Sequence, residues 1–130
     1  MDGWIESVGE RWGIDPRTLF RARVCVSELA ANIVEHGGVA PGAGEIAINL
    51  RHVKPKLEIE ISDPGRAFDP FDPARIEPAP HEIGGRGLRL VRAYAQALSY
   101  RRHQDRNIVT LQLAPARAPE PRRCVRSRRP

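Results

Sequence analysis

The chain has 130 residues, 41% of them apolar but only 5% aromatic, and a formal net charge of +5. That is room for one domain with a mainly aliphatic core and too little for two. No apolar run approaches the roughly 20 residues needed to cross a bilayer. The start, Met-Asp-Gly-Trp-Ile-Glu, also lacks the basic then apolar pattern of a signal peptide, so a cytoplasmic protein without membrane contact is expected.

The charge is a property of the tail. Residues 1–113 hold 15 Lys/Arg against 15 Asp/Glu, while six arginines (117, 122, 123, 126, 128 and 129) and Glu120 supply the whole excess. Residues 114–130 also carry four prolines and almost no large apolar residue. Such a segment buries too little surface to offset its chain entropy, and disorder is expected there, beside a folded domain at 1–113. A neutral folded part and a basic tail without interleaved aromatics speak against direct nucleic-acid binding. Cys25 falls in an apolar-periodic segment and Cys124 in the tail, which suggests neither a disulfide framework nor a metal cluster.

In chain order, Trp4, Ile5, Val8 and Trp12 recur at three- and four-residue steps and predict a first helix over 4–12, stopped by Gly13. Asp15-Pro16 then supplies an N-cap and a first-turn proline. The second helix is expected to run to about His36, with an apolar stripe of Leu19, Ala22, Val26, Leu29, Ala30 and Ile33, before Gly37-Gly38 ends it. Alternating segments at 45–50 and 56–61, joined through Pro55, predict an antiparallel hairpin. Residues 64–83 contain five prolines and predict a long irregular loop, a length that usually marks a functional lid or disorder. A third helix opens at Gly84, Gly85 and Gly87 and carries Leu88, Val91, Ala95 and Leu98. Strands at 98–102 and 108–113, with Asp105-Arg106 in the turn, complete the pattern. The order of elements predicts an α+β two-layer sandwich, helices packed on one face of a mixed, mostly antiparallel sheet.

Three segments carry chemistry. Glu28 and Asn32 are four apart on the second helix and share a face with Glu35. A carboxylate beside a carboxamide oxygen suits a magnesium ion and its waters, but the same pattern suits a solvated helix face. Asp63-Pro-Gly65 closes a strand. Its carboxylate can accept a hydrogen bond from an amino group on a flat ligand, and Gly65 lets that ligand approach the backbone, although Asp-Pro-Gly is also a common turn. Gly84-Gly85-Arg86-Gly87-Leu88 opens a helix, where free amides and the helix dipole favour an anion. Taken singly, each is a weak signal.

In this order the three segments resemble the N box and the two glycine boxes of the gyrase and histidine-kinase (GHKL) ATPase superfamily. Glu28-x-x-x-Asn32 with His36-Gly37 following, Asp63-x-Gly65-x-x-Phe68-Asp69 and Gly84-Gly85-x-Gly87-Leu88 are most similar to the anti-sigma-factor serine kinases. The resemblance implies a Bergerat-type ATP-binding fold over most of residues 15–113. It implies that Asn32 binds the Mg2+ that bridges the ATP phosphates and that Glu28 is the general base on the acceptor hydroxyl. Asp63 would bond the adenine amino group, with Gly65 beneath the ring. Gly85 and Gly87 would hold phosphate through backbone amides beside Leu88, and residues 69–83 would form the ATP lid. Arg86 either adds a cation near phosphate or is solvated, and His36 serves either the ligand side or the helix end. The family often places a strand at a dimer contact before its first helix, so a homodimer is among the implied assemblies, although this chain begins almost at the helix.

The implied function is an ATP-dependent serine/threonine protein kinase that acts as an anti-sigma factor. It phosphorylates an anti-sigma-factor antagonist and alternately holds a sigma factor. The alternative is an ATP-binding regulatory module that sequesters a partner protein without transferring phosphate.

Overall fold

The computed structural model describes residues 2–36, 44–72 and 85–116. Their elements run α1 (Asp2–Arg11), α2 (Pro16–His36), β1 (Ala47–Val53), β2 (Lys56–Asp63), α3 (Gly85–Tyr94), β3 (Ala97–His103) and β4 (Arg106–Leu113). The strands form one sheet in the order β1-β2-β4-β3. Every pairing among them is antiparallel, so the sheet contains no parallel pair among the described strands.

Helix α2 begins where the sequence predicts. The Asp15 carboxylate accepts from the Thr18 amide at 2.8 Å and from the Thr18 hydroxyl at 2.7 Å, which satisfies a free donor of the first turn. Its core-facing residues are Leu19, Ala22, Cys25, Val26, Leu29 and Ile33. Cys25 joins the buried stripe, whereas Ala30, expected in it, is only half-buried. Burial pushes the Cys25 thiol up to about 11, leaving it protonated and unreactive at neutral pH. Helix α1 lies close against α2 because Gly9 has no side chain, and a Cβ there would overlap the buried Leu19.

Two local expectations are corrected. Helix α3 stops at Tyr94, so Ala95 and Leu98 are not helical: the Gln96 amide donates to the Gln112 carbonyl at 2.7 Å, and the sheet captures the chain there. Arg106 lies in β4 rather than in the turn. Pairing of His103 with Arg106 leaves a two-residue loop, Gln104-Asp105, both at positive φ (49° and 59°), a twist that matches paired strands.

The helix-facing side of the sheet is built in rows. Register places Leu50, Ile59, Leu111 and Leu98 across the four strands, and Ile48, Ile61, Val109 and Tyr100 in the next row. Ile59, Ile61, Leu111 and Val109 are buried, each such side chain contributing about 1.5–3 kcal/mol. The outer strands are only half-buried on this face. No described helix is long and apolar enough to cross a membrane.

Packing continues past β4. The Ala116 amide donates to the buried Thr18 hydroxyl at 3.0 Å, so the first residues of the expected disordered tail are tied to the start of α2. Residues 117–130 lie outside the described residues.

Two outcomes follow from the Asp15-Thr18-Ala116 chain of hydrogen bonds. Truncation after Leu113 should cost about 1 kcal/mol relative to truncation after Ala116, read by urea unfolding. Replacement Asp15→Ala should cost about 1 kcal/mol at neutral pH. Partial burial pushes the Asp15 carboxyl up, but the Thr18 hydroxyl and nearby amides outweigh it and hold the group below its ordinary 3.8. Its folded value is therefore the lower one, so the stabilisation is complete above 3.8 and fades as pH falls through the folded value. The gap between wild type and Asp15→Ala should narrow in acid.

Candidate functional site

At one end of the sheet the apolar rows give way to a polar one. Register sets Asp63 of β2 beside Asn107 of β4, and Asn107 beside Arg102 of β3. Asp63 and Asn107 are each only 3% exposed. Groups so buried need partners, and these have them. Asp63 Oδ1 accepts from the Gly65 amide at 2.9 Å and from Asn107 Nδ2 at 3.1 Å. Asn107 Nδ2 also donates to the Arg66 carbonyl at 2.7 Å. Its Oδ1 accepts from the Phe68 amide (3.1 Å), the Tyr100 hydroxyl (2.6 Å) and Arg102 Nη1 (3.1 Å). Arg102 Nη1 in turn donates to the Gly65 carbonyl at 2.7 Å.

The segment after β2 is thus a fastened loop. The Asp63 bond to the Gly65 amide is the turn that Asp-Pro-Gly favours. Farther along, Asp69 Oδ1 accepts from the Phe71 amide at 2.8 Å. On the opposite side, the Arg66 guanidinium donates to the His36 carbonyl at 3.3–3.4 Å, satisfying a free acceptor at the end of α2. The His36 ring stacks on Phe68 with centroids 5.5 Å apart and planes 3° from parallel. The His36 carbonyl thus serves the helix end, while its ring lies against Phe68.

A cleft opens between α2 and this end of the sheet. Leu29 and Ile33 of α2, Ile61, Val109, Phe68 and Pro70 form its apolar walls, and Asn32, Asp63 and Asn107 supply the polar groups. Asp63 Oδ2 accepts no hydrogen bond among the described residues, and neither end of the Asn32 carboxamide is paired among them. The lining pairs apolar walls with an unpaired acceptor, the chemistry that a flat ring bearing an amino group would require.

The structure therefore brings Asn32 and Asp63 together, with buried Gly65 in the adjoining loop. Glu28 lies one turn earlier on α2, half-buried, and is not among the walls of this cleft. Helix α3 opens at Gly85 as expected and packs along α2, with Arg21 over the Tyr94 ring at 5.2 Å and Leu88 half-buried against the core. The side chain of Arg86 falls outside the described residues, as do Gly84 and most of the expected lid, 73–83. No three-member group of His, Cys, Asp or Glu able to hold a metal occurs among the described residues.

Asn107, Arg102 and Arg66 carry no motif and escape sequence reasoning. One signal for Asn107 was available. It occupies the same alternating face as Val109, Leu111 and Leu113, which makes it a polar residue at a core position.

The model of the histidine kinase-like ATPase domain matches residues 1–113. The serine/threonine-protein kinase BtrW of Bordetella bronchiseptica is 33% identical over 113 residues, covering 83% of this chain and 79% of that protein. The serine-protein kinase RsbW of Listeria innocua is 29% identical over 80 residues, 62% of this chain, which thus spans about half of that relative's length. Among solved structures, the histidine kinase domain of a blue-light activated kinase from Erythrobacter litoralis superposes with a TM-score of 0.57 at 22% identity. It covers 75% of this chain and 45% of that one. The histidine kinase AdeS of Acinetobacter baumannii gives 0.55 at 17% identity over 75% of this chain and 47% of that one, which again speaks to the fold. With the family model spanning the helices, the sheet and the cleft between them, the chain belongs to the histidine kinase-like ATPases and is a kinase-like ATP-binding domain.

Proposed function

We propose that this domain is a serine/threonine protein kinase that acts as an anti-sigma factor, binding ATP in the cleft between α2 and the Asp63 end of the sheet. Its phosphoryl acceptor is an anti-sigma-factor antagonist, and its alternate partner is a sigma factor. The observation that carries the reading is the state of Asp63: a buried carboxylate with one oxygen committed to its own loop and the other unpaired among the described residues, within apolar walls that also present Asn32. The kinase names of the Bordetella and Listeria relatives support the reaction class.

In this reading Asp63 Oδ2 accepts from the adenine amino group while Leu29, Ile33, Ile61 and Val109 exclude water around the ring. Gly65 lies beneath it. The Asn32 carboxamide fits Mg2+, an ion that usually takes only one or two protein oxygens and keeps the rest of its shell as water and phosphate. When bound, the ion offsets phosphate charge. The first-turn amides of α3 at Gly85, Arg86, Gly87 and Leu88 face phosphate oxygens, favoured by the helix dipole, and residues 69–83 serve as a lid. Glu28 accepts the proton of the acceptor hydroxyl. The hydroxyl oxygen bonds to the γ-phosphorus, the bond to the bridging oxygen breaks, and ADP leaves. Such transfer depends mainly on positioning and charge.

The position of Glu28 outside the cleft walls favours a second reading, a regulatory module that binds ATP and holds its partner without transfer. Replacement Glu28→Gln keeps shape and removes the base. On the kinase reading it should slow single-turnover phosphorylation of the co-purified partner by about 10² to 10⁴ while ATP affinity changes little. Asn32→Ala should instead weaken magnesium-dependent nucleotide binding. Wild-type transfer rates in Glu28→Gln would remove this residue as the base, and no transfer by the wild-type protein to a verified partner would favour the binding module.

Replacement Asp63→Asn offers a donor where the adenine amino group needs an acceptor. Affinity for ATP should fall by about tenfold and the preference over GTP should shrink, measured by competition with a fluorescent nucleotide. Unchanged affinity and base preference in a folded variant would show that this carboxylate does not read adenine.

A further inference from the structure

We propose that Asn107 is the positioning residue that sets nucleobase choice, by keeping Asp63 an acceptor on one side only. The inference rests on the reading of Asp63 as the partner of the adenine amino group and names the group that makes that reading selective.

The polarity of the Asn107 amide is locked from both ends. Three donors converge on its oxygen: the Phe68 amide, the Tyr100 hydroxyl and Arg102 Nη1. Its nitrogen faces acceptors only, the Arg66 carbonyl at 2.7 Å, the Gly65 carbonyl at 3.5 Å and Asp63 Oδ1 at 3.1 Å. A flip would set donor against donor on one side and acceptor against acceptor on the other. Nδ2 therefore always presents a donor to Asp63.

With Nδ2 and the Gly65 amide both on Oδ1, the carboxylate is fixed in rotation. What remains toward the cleft is Oδ2, an acceptor. Adenine carries an amino donor on its six-position, whereas guanine carries a carbonyl oxygen there. The amino group pairs with Oδ2, and the carbonyl oxygen is repelled by it. Selectivity then depends on Asp63 being unable to rotate, and the Asn107 bond to Oδ1 prevents rotation. Register supports the assignment, because Asp63 and Asn107 are direct neighbours on β2 and β4 and neither can move without the sheet.

The test compares ATP and GTP affinities, with magnesium, in the full chain and three variants whose folding is verified by circular dichroism. Asn107→Asp removes the donor that holds Asp63 Oδ1 and sets a second carboxylate against it, so that repulsion turns Asp63 from the orientation that aims Oδ2 at the cleft. The double variant Tyr100→Phe/Arg102→Met leaves residue 107 in place and strips two of the three donors from its oxygen. In each, the ATP-over-GTP affinity ratio should fall by about tenfold or more. A full ratio in either folded variant overturns the proposal. So does an equal loss of affinity for both nucleotides, which would mark Asn107 as merely structural. Asp63→Asn keeps the two levels apart: an undiminished ratio there sinks the reading of Asp63 itself, whereas a lost ratio there with a full ratio in Asn107→Asp sinks only the role of Asn107.

Discussion

The Asp63-Asn107 pair is the constraint on which the rest of the site depends. A buried carboxylate without donors is too costly for a domain of marginal stability, and an unpaired buried amide costs about 1–3 kcal/mol. Both are met only if β2 and β4 hold one register, because a slip of one residue would turn Asp63 and Asn107 to opposite faces. The apolar rows behind them enforce that register. Ile59 with Leu111 and Ile61 with Val109 bury fully only in the same alignment that joins the polar pair. Core packing and site geometry are one arrangement, and the loop that carries Gly65 and Phe68 is its consequence.

Helix α2 meets the sheet with one face and the cleft with its flank. Leu29 and Ile33 belong to the core cluster and also wall the cleft, so the helix cannot be repacked without moving Asn32. Both of its ends are tied. Asp15 and Thr18 cap the start and reach the chain after β4 through Ala116, while Arg66 from the loop holds the last carbonyl at His36. A helix held at both ends and along one face is a rigid platform, so the backbone that carries Asn32 is fixed by the same contacts that fix the core.

Much of this was legible in the residues because the signals are local. Periodicity marks α2, Asp15-Pro16 marks its start, and alternation marks both hairpins, since burial of one face imposes period two on a strand. Errors fell where tertiary contact overrode local preference: the end of α3, cut short by the pull of β4 on Gln96, and the placement of Arg106. Within the site, Asn32, Asp63 and Gly65 could be named because motifs carry them. Asn107, Arg102 and Arg66 act through bonds that span five to 44 positions of chain, and no spacing in the sequence records such bonds.

Strand alternation nonetheless holds a trace of the site. Along β2 and β4 it breaks at one end only, where Ile61, Ser62 and Asp63 are buried in succession, as are Asn107, Ile108 and Val109. Ser62 pairs with Ile108 on the face of the sheet away from the helices. Arg106 lies across that face, donating to the Ser62 hydroxyl at 3.2 Å, to its carbonyl at 3.2 Å and to the Glu45 carbonyl at 2.9 Å. The sheet is thus covered on both sides at the polar row and on one side elsewhere. Cover on the back face keeps water from the pair from behind, which strengthens each hydrogen bond around Asp63. It also leaves the cleft as the side toward which Oδ2 is unpaired among the described residues. Three consecutive buried residues at the end of a two-sided strand, the last of them acidic, are therefore the structural mark of the site, and the arginine that buries the middle one belongs to its architecture.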